Sequence, residues 1–177
     1  MTWAIDPSHS SIEFSVRHLG IATVRGRFKQ FTGSVELDGR GYAQAIRTSL
    51  DAASIDTGVE QRDAHLRSPD FLDAERHPTL TFESTAIRPG QDGTLHVTGD
   101  LTIRGQTQPV AFTVEPSAPI RDPWGNQRAA ASATGTLNRK HWGLTWNQIL
   151  ELGGVAVADE VRFTLDVQIV SPQPVAA

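Results

Sequence analysis

The sequence contains no cysteine, and this absence removes several kinds of site at once. A chain without thiols forms no disulfides, offers no thiol nucleophile, and cannot hold zinc or an iron–sulfur cluster through sulfur. Its 177 residues are enough for one domain with a full-sized core, so the fold needs no covalent cross-links. The absence of cysteine therefore excludes disulfides, thiol nucleophiles and sulfur-ligated metal sites. It does not indicate a cellular compartment.

Long apolar runs and a surplus of basic charge are also missing. No stretch approaches the ~18 apolar residues that a membrane-spanning helix needs. The net charge is −4, from 16 Lys and Arg against 20 Asp and Glu, whereas nucleic-acid-binding proteins are usually basic. We therefore expect no integral membrane segment and no nucleic acid partner, while transient contact with a membrane surface stays open.

The first residues, from Met1 to Pro7, lack the basic and apolar regions of a secretory leader. We therefore expect a cytoplasmic protein. A leader removed ahead of Met1 would instead place the same sequence in the periplasm or outside the cell.

Apolar and polar residues alternate along most of the chain, which is the pattern of β-strands with one buried face. Turn signals such as Asp38-Gly39 and Arg104-Gly105 separate these segments. The predicted strands cover residues 12–18, 24–37, 46–50, 80–83, 95–103, 110–114, 131–137 and 161–169. Their number and spacing indicate an antiparallel all-β sandwich or barrel.

Two segments depart from regular alternation. Between Phe28 and Phe31 the apolar face shifts by one residue, which predicts a β-bulge that bends one long strand. From Thr57 the alternation stops, and Thr57 with Glu60 fits a capping box, which predicts a short helix to about residue 66. Ser68-Pro69 predicts a second short helix, and we expect both helices to close one end of a barrel.

Small residues share the apolar faces of several strands. In a barrel of about eight strands the interior is either filled by side chains or wide enough for one small ligand. If the small residues leave space, the aromatic residues of the same faces line an apolar channel; otherwise they pack against those rings. The sequence leaves both open. The small residues are Gly26, Gly33, Gly99, Ala131, Ala133 and Gly135.

Motifs that carry catalysis or metal binding are missing as well. None of the six histidines forms a metal-binding pair at the usual spacing, and no nucleophile elbow or phosphate loop occurs. We therefore expect no metal site and assign no catalytic residue. A serine–histidine–acid triad assembled from distant positions stays open, because such triads have no fixed spacing.

Three polar or aromatic features each have two interpretations. His18 is in phase with the apolar face of its strand, so it is either a hydrogen-bonded core residue or a contact for the polar end of a ligand. The basic stripe of residues 25, 27 and 29 is either a solvated strand face or a contact for an anionic group. Trp142 and Trp146 either seal one end of the core or line a mouth.

Several short motifs resemble, in the same order, those of the YceI-like family of polyisoprenoid-binding proteins. Among them are Ile12-Glu-Phe14-Ser-Val16-Arg-His18, Arg62-Asp63-Ala-His65-Leu66 and Asn138-Arg139-Lys140. The resemblance runs from about Trp3 to Ile169. One departure is His141-Trp142, where the family often has an acidic residue followed by Phe.

The resemblance implies an all-β fold, an extended lipocalin-like antiparallel β-barrel of about eight strands with short helices inserted between strands. We expect one domain over residues 1–177, with its core at about 3–170 and a frayed tail at 171–177. The resemblance further implies that the barrel stores or transports a long apolar lipid, such as a polyisoprenoid or an isoprenoid quinone. It implies a homodimer, no cofactor other than this lipid, and no established reaction. The alternatives are an enzyme acting on a lipid or quinone, or a stress-response interaction module with a solid interior.

Phase and resemblance together select the residues expected to contact the ligand. Leu66 and Phe71 are expected to cap the barrel. His18, Arg62, Asp63 and Arg139 are candidates for the polar end, and for the last three a structural ion-pair network is the alternative. The predicted ligand-binding residues are Phe14, Val16, His18, Phe28, Phe31, Val35, Leu66, Phe71, Phe82, Leu101, Ile103, Phe112, Arg139, Trp142, Phe163 and Leu165.

Overall fold

The computed structural model describes residues 1–151 and 153–172. This part of the chain forms twelve strands, one α-helix, α1 (Glu60–Arg67), and four short 3-10 turns. Residues 173–177 of the predicted frayed tail lie outside the described residues. The strands are β1 Thr2–Ile5, β2 Ser11–His18, β3 Ala22–Phe28, β4 Phe31–Leu37, β5 Ala43–Asp51, β6 Ile55–Asp56, β7 Thr79–Pro89, β8 Leu95–Ile103, β9 Gln106–Pro116, β10 Ile120–Arg121, β11 Gln127–Asn138 and β12 Val157–Val170.

Eight of these strands close into an antiparallel ring. The order is β1, β4, β5, β7, β8, β9, β11 and β12, and β12 pairs back onto β1. The longest pairing joins β11 to β12, from Arg128 opposite Val170 to Asn138 opposite Glu160. The predicted all-β barrel is confirmed, and its first and last strands pair with each other.

The ring is complete at one end of the barrel and splits at the other. β12 pairs with β1 only at Ile169 and Val170, and with β2 over residues 157–166. β1 continues to β4, whereas β2 continues to β3 and then β6. No pairing among the described strands joins β3 to β4. The three strands β2, β3 and β6, here called the side sheet, therefore leave the ring at this end.

This split corrects the predicted β-bulge. Lys29 and Gln30 lie between β3 and β4, and the two strands have different partners on both sides. The shift of apolar phase between Phe28 and Phe31 therefore marks a break between strands. A break and a bulge shift the phase alike, and only the strand partners distinguish them.

The two predicted helices are corrected in part. α1 begins at Glu60 with Val59 as its N-cap, so Thr57 does not cap it. The N–H and the hydroxyl of Thr57 instead donate to the buried carboxylate of Asp63. The second helix does not form, since residues 68–77 make a series of turns in which Asp73 has a left-handed φ of 49°. Within the described chain no helix is long and apolar enough to cross a membrane.

The two ends of the barrel are built differently. At the open end, exposed hairpin turns such as residues 38–42 and 90–94 connect the strands. At the closed end, α1, the turns at 68–77 and the 3-10 turn Arg139–Trp142 cover the interior. A cluster of buried side chains packs there and forms the floor of the barrel: Phe28, Ala52, Ile55, Leu72, Leu80, Ile103, Trp142 and Leu144.

Candidate functional site

An apolar cavity of about 850 Å³ lies inside the barrel. This volume is near the upper end of the ~300–1,000 Å³ typical of small-molecule sites. Exposed turn residues such as Gly39 and Tyr42 line its open end, and buried residues such as Leu72 and Leu80 line its floor. The sequence left open whether the interior is solid, and in the structure it is hollow.

Three phenylalanine rings lie against glycines on neighbouring strands, and this arrangement keeps the centre open. A Cβ atom added to Gly26 would lie 2.4 Å from the Phe14 ring, and one added to Gly135 would lie 2.4 Å from the Phe163 ring. The same distance separates Phe82 from a Cβ on Gly99. The phenylalanine rings therefore fill the space that a side chain at each glycine would occupy. They let the rings lie flat on the barrel wall.

Replacement of one of these glycines should push its ring into the cavity. At Gly135 each near atom belongs to the Phe163 side chain, so Gly135→Ala displaces that ring without a backbone clash. We expect this overpacking to destabilise the protein by ~1–3 kcal/mol and to weaken ligand uptake. Denaturant unfolding and lipid titration measure the two effects. Gly39→Ala is the matched control for the stability measurement, because an added Cβ there meets nothing within 4 Å; an equal loss of stability in both variants would contradict the explanation.

A partly buried cluster of one arginine and two aspartates fastens the N-terminal segment at the open end. Arg128 donates at 2.7 Å to Asp6 from Nη1 and at 2.7 Å to Asp122 from Nε. Hydrogen bonds from His9 and Arg128 lower the pKa of Asp6 to about 2, and the bond from Arg128 lowers the pKa of Asp122 to about 2. Both carboxylates are therefore ionised at neutral pH and hold the segment before β2 against the β10–β11 hairpin.

Arg139 reaches the floor of the cavity, where backbone carbonyls use its hydrogen-bond donors. Nε donates to Ala158 at 2.9 Å, Nη1 to Leu144 at 2.6 Å and to Trp146 at 2.9 Å, and Nη2 to Val157 at 3.3 Å. The guanidinium thus ties residues 144 and 146, inside the connection between β11 and β12, to residues 157 and 158 at the start of β12. These hydrogen bonds support a structural role for Arg139. They use most of the guanidinium N–H groups that could otherwise bind a ligand.

Burial and the Asp159 carboxylate shift the pKa of Arg139 in opposite directions. Arg139 is only 3% exposed, and desolvation lowers the pKa of its guanidinium. The Asp159 carboxylate, 3.8 Å from Nη2, acts in the opposite direction. An arginine titrates so far above neutral pH that it stays charged here.

A second, smaller pocket of about 460 Å³ lies beside α1, between that helix and the side sheet; we call it the side pocket. It shares five apolar or aromatic lining residues with the barrel cavity, so the two spaces meet at a common wall. The side pocket is lined by Phe14, Val16, Arg17, His18, Val24, Val59, Gln61, Arg62, His65, Leu66, Phe71, Trp146 and Val157.

The structure brings together thirteen of the sixteen predicted ligand-binding residues around the barrel cavity. The other three lie elsewhere. His18 lines the side pocket, Phe31 is buried at the start of β4, and Trp142 is buried in the floor with its indole N–H donating to the Leu101 carbonyl at 2.8 Å. Trp142 therefore seals the core, and Trp146 lines the side pocket. The thirteen are Phe14, Val16, Phe28, Val35, Leu66, Phe71, Phe82, Leu101, Ile103, Phe112, Arg139, Phe163 and Leu165. Whether any of the sixteen contacts a ligand stays a prediction.

Sequence reasoning missed two groups of lining residues. Inward residues of correctly predicted strands, such as Ile46, Val110 and Val167, could have been found from the alternation alone. Leu144 lies within the irregular connection between β11 and β12, Val157 is the first residue of β12, and no periodic signal marks either of them. Their position depends on the hydrogen bonds of Arg139.

The barrel cavity is suited to removing an apolar molecule from water. Among the described residues no group of three or more His, Asp or Glu side chains could hold a metal ion. Asp63, a candidate for the polar end, accepts from Thr57 and is only 3% exposed. The arrangement can shelter a long apolar molecule from water.

Comparisons with known proteins agree on one family. A family model described as "YceI-like domain" matches residues 3–169. A UPF0312 protein of Vibrio cholerae is 40% identical over 138 residues, which cover 77% of this chain and 73% of that protein. A UPF0312 protein of Staphylococcus aureus is 37% identical over 163 residues, covering 91% and 92%.

Solved structures show the same fold at lower sequence identity. BcnA of Burkholderia cenocepacia has a TM-score of 0.80 at 24% identity and covers 93% of this chain and 98% of its own. A domain from Saccharophagus degradans described as polyisoprenoid binding has a TM-score of 0.71 at 14% identity, covering 96% and 98%. At these identities the comparison concerns the fold.

Proposed function

This chain belongs to the YceI-like family, and from that premise we propose that it binds a long apolar lipid, such as a polyisoprenoid or an isoprenoid quinone, inside its barrel. The observation that carries the proposal is the apolar cavity of about 850 Å³, which is open at one end and closed by a buried floor at the other. Burial of this kind suits storage or transport, because the lipid is kept from water without being changed.

Burial supplies the driving force. Each methylene moved from water into an apolar interior contributes ~0.8 kcal/mol, so a chain of many carbons has a large gross gain. The loss of motion and the ordering of a flexible chain offset part of that gain. Because apolar contacts have little directionality, we expect weak selection for tail length.

A neighbour's description supports this class of ligand. The Saccharophagus degradans domain is described as polyisoprenoid binding, and its fold matches almost the whole of this chain. The family and its barrel neighbours indicate a binding protein. No arrangement of described side chains favours an enzyme acting on a lipid or quinone. The cytoplasmic location and the homodimer stay predictions.

The proposal is tested with the wild-type protein. Native mass spectrometry of protein purified without added lipid should show bound mass that organic solvent releases. Protein stripped of that mass should take up geranylgeraniol in a one-to-one complex, and an equal concentration of glycerol should give no complex. A stripped and folded protein that takes up no isoprenoid alcohol would contradict lipid binding.

A further inference from the structure

The basic stripe on β3 continues onto the two neighbouring strands of the outer barrel surface. Arg162 of β12 and Arg25 of β3 pair with Ser15 of β2 from its two sides. Because neighbouring strands lie ~4.8 Å apart, the two arginines start about 10 Å from each other. Arg17 follows Ser15 on the same face of β2, and all three arginines are exposed. We call this surface the basic face; it consists of Arg17, Arg25, Arg27, Lys29 and Arg162.

Acidic side chains balance this positive charge only in part. Asp56 lies 3.7 Å from Arg27 and 3.8 Å from Lys29. Glu13 and Glu160 border the face on β2 and β12. Within residues 1–151 and 153–172, no carboxylate lies within 4 Å of the other three arginines of the basic face. The chain as a whole carries a net charge of −4, so this face differs in sign from the rest of the protein and favours an anionic partner.

The turn between β2 and β3, residues 19–21, exposes aliphatic side chains; we call it the hairpin tip. Ile21 is 80% exposed and Leu19 is 41% exposed. Leu19 and Gly20 have left-handed φ angles of 54° and 69°, a conformation that suits Gly or Asn in hairpin turns and is strained for leucine. A turn that only reverses the chain needs neither the strain nor the exposed aliphatic groups. Both features therefore indicate a contact made by the hairpin tip.

Hydrogen bonds hold the hairpin tip in this exposed position. Arg17 donates from Nη2 to the Gly20 carbonyl at 2.9 Å, and the Leu19 N–H donates to the Ala156 carbonyl at 2.9 Å. Val155, which precedes Ala156, is also exposed and enlarges the apolar surface. An apolar surface that is already ordered loses little conformational freedom when it meets a partner.

We propose that this protein docks on an anionic phospholipid membrane, with the hairpin tip in the head-group layer and the basic face against the lipid phosphates. Apolar side chains flanked by basic ones are typical of segments that bind at a membrane interface, and the negative surface potential of anionic lipids attracts arginine and lysine. A nucleic acid would match the basic face alone, because it would leave the aliphatic tip in water. The inference stands apart from lipid binding in the barrel, since Arg25, Arg162 and Ile21 line neither cavity.

The test compares vesicles of two compositions by co-sedimentation with the wild-type protein. Vesicles made from equal parts of phosphatidylcholine and phosphatidylglycerol should bind about tenfold more tightly than vesicles of phosphatidylcholine alone, because several basic groups reach the anionic surface. High salt should remove most of this preference, since dissolved ions screen exposed charges. Equal binding to the two compositions, no binding to either, or a preference that salt leaves unchanged overturns the proposal.

Two variants and their controls locate the contact. Arg25→Gln should weaken binding to the mixed vesicles about fivefold, the effect of one basic residue near an anionic surface, and Ile21→Ser should also weaken it. Arg88→Gln is the matched control for the charge, because Arg88 is exposed on β7, which lies across the ring from β12. Ile120→Ser is the control for the apolar contact, because Ile120 is exposed on β10 at the open end. Equal losses in a variant and its control overturn the proposal.

A second copy of the chain is the other occupant that could cover this surface. Sedimentation velocity measures the oligomeric state of the wild type and of Ile21→Ser. A dimer that Ile21→Ser converts to a monomer, with vesicle binding unchanged, overturns the proposal and makes the hairpin tip an interface between copies. Uptake of geranylgeraniol should match the wild type in Arg25→Gln and Ile21→Ser, so a failure of docking is distinguished from a failure of lipid binding.

Discussion

Leu165→Lys should lower the affinity of the protein for geranylgeraniol by about a hundredfold or more. Leu165 lies in the middle of β12, lines the barrel cavity and packs against the cluster around Phe82 and Val114. A lysine there extends its ammonium group into the space that the lipid would fill. Lipid binding would strip water from an unpaired charge, which costs several kcal/mol, and each 1.4 kcal/mol is a tenfold change in affinity.

The neighbouring position supplies the control. Thr164 lies on the opposite face of β12, between Thr134 and Glu13 on the paired strands, and lines neither pocket. Thr164→Lys adds the same charge to the outside of the barrel and should leave uptake unchanged. Native mass spectrometry measures bound lipid, and thermal unfolding verifies that both variants fold. Equal uptake by Leu165→Lys and the wild type would show that the lipid lies outside the barrel.

Arg139→Met should lower the free energy of unfolding by ~3–5 kcal/mol. Methionine keeps the apolar stem and removes each donor, so the carbonyls of residues 144, 146, 157 and 158 lose the guanidinium. Among residues 1–151 and 153–172, only the Val157 carbonyl keeps a side-chain donor, from Asn147 at 2.7 Å. A buried polar group without a partner costs ~1–3 kcal/mol, and relaxation of the segment recovers part of the sum. For a chain of this length, we expect a fall in Tm on the order of 10 °C.

In Arg139→Met, the loss of stability should appear first as local unfolding at the closed end of the barrel, before the whole domain unfolds. Leu144 belongs to the floor of the barrel, so release of its segment would loosen the closed end of the cavity. Hydrogen exchange in Arg139→Met should therefore rise first at residues 143–151 and 153–158. Lys140→Met is the control, because Lys140 is half-exposed and its ammonium pairs with the partly exposed Asp159 at 3.0 Å. A similar loss of stability in both variants would show that the carbonyl network of Arg139 contributes little.

The wall of the barrel is the part that could be predicted most fully from the sequence. Alternation placed β8 at its observed bounds and predicted residues 161–169 of β12, which spans Val157–Val170, and it put Phe82, Phe112 and Phe163 on inward faces. Prediction of the wall succeeds because successive side chains of a strand point to opposite faces. A strand with one buried face therefore has alternating apolar and polar residues. The adjacent rings of these residues, 5.6 and 5.7 Å apart between centroids, follow from that register.

Prediction from the sequence failed where the structural role of a residue depends on a partner elsewhere in the fold. The phase shift at Phe28 and Phe31 predicts a bulge, whereas the structure has a break, because the residues that pair with β3 and β4 lie elsewhere along the chain. Thr57 matched a capping box, yet its hydroxyl donates to the Asp63 side chain. Local patterns of this kind fit several structures, and tertiary packing selects among them.

The sequence by itself determined the family, most of the long strands and their inward faces, because periodicity and short motifs can be recognised from the order of residues; it did not predict the short strands β1, β6 and β10. Only the tertiary structure decided that the barrel is hollow. That outcome depends on phenylalanine rings lying over glycines of neighbouring strands, which are distant along the chain for Phe163 and Gly135. It also decided that the ring splits beside α1 and that Arg139 binds backbone carbonyls, since both depend on pairings across the whole chain.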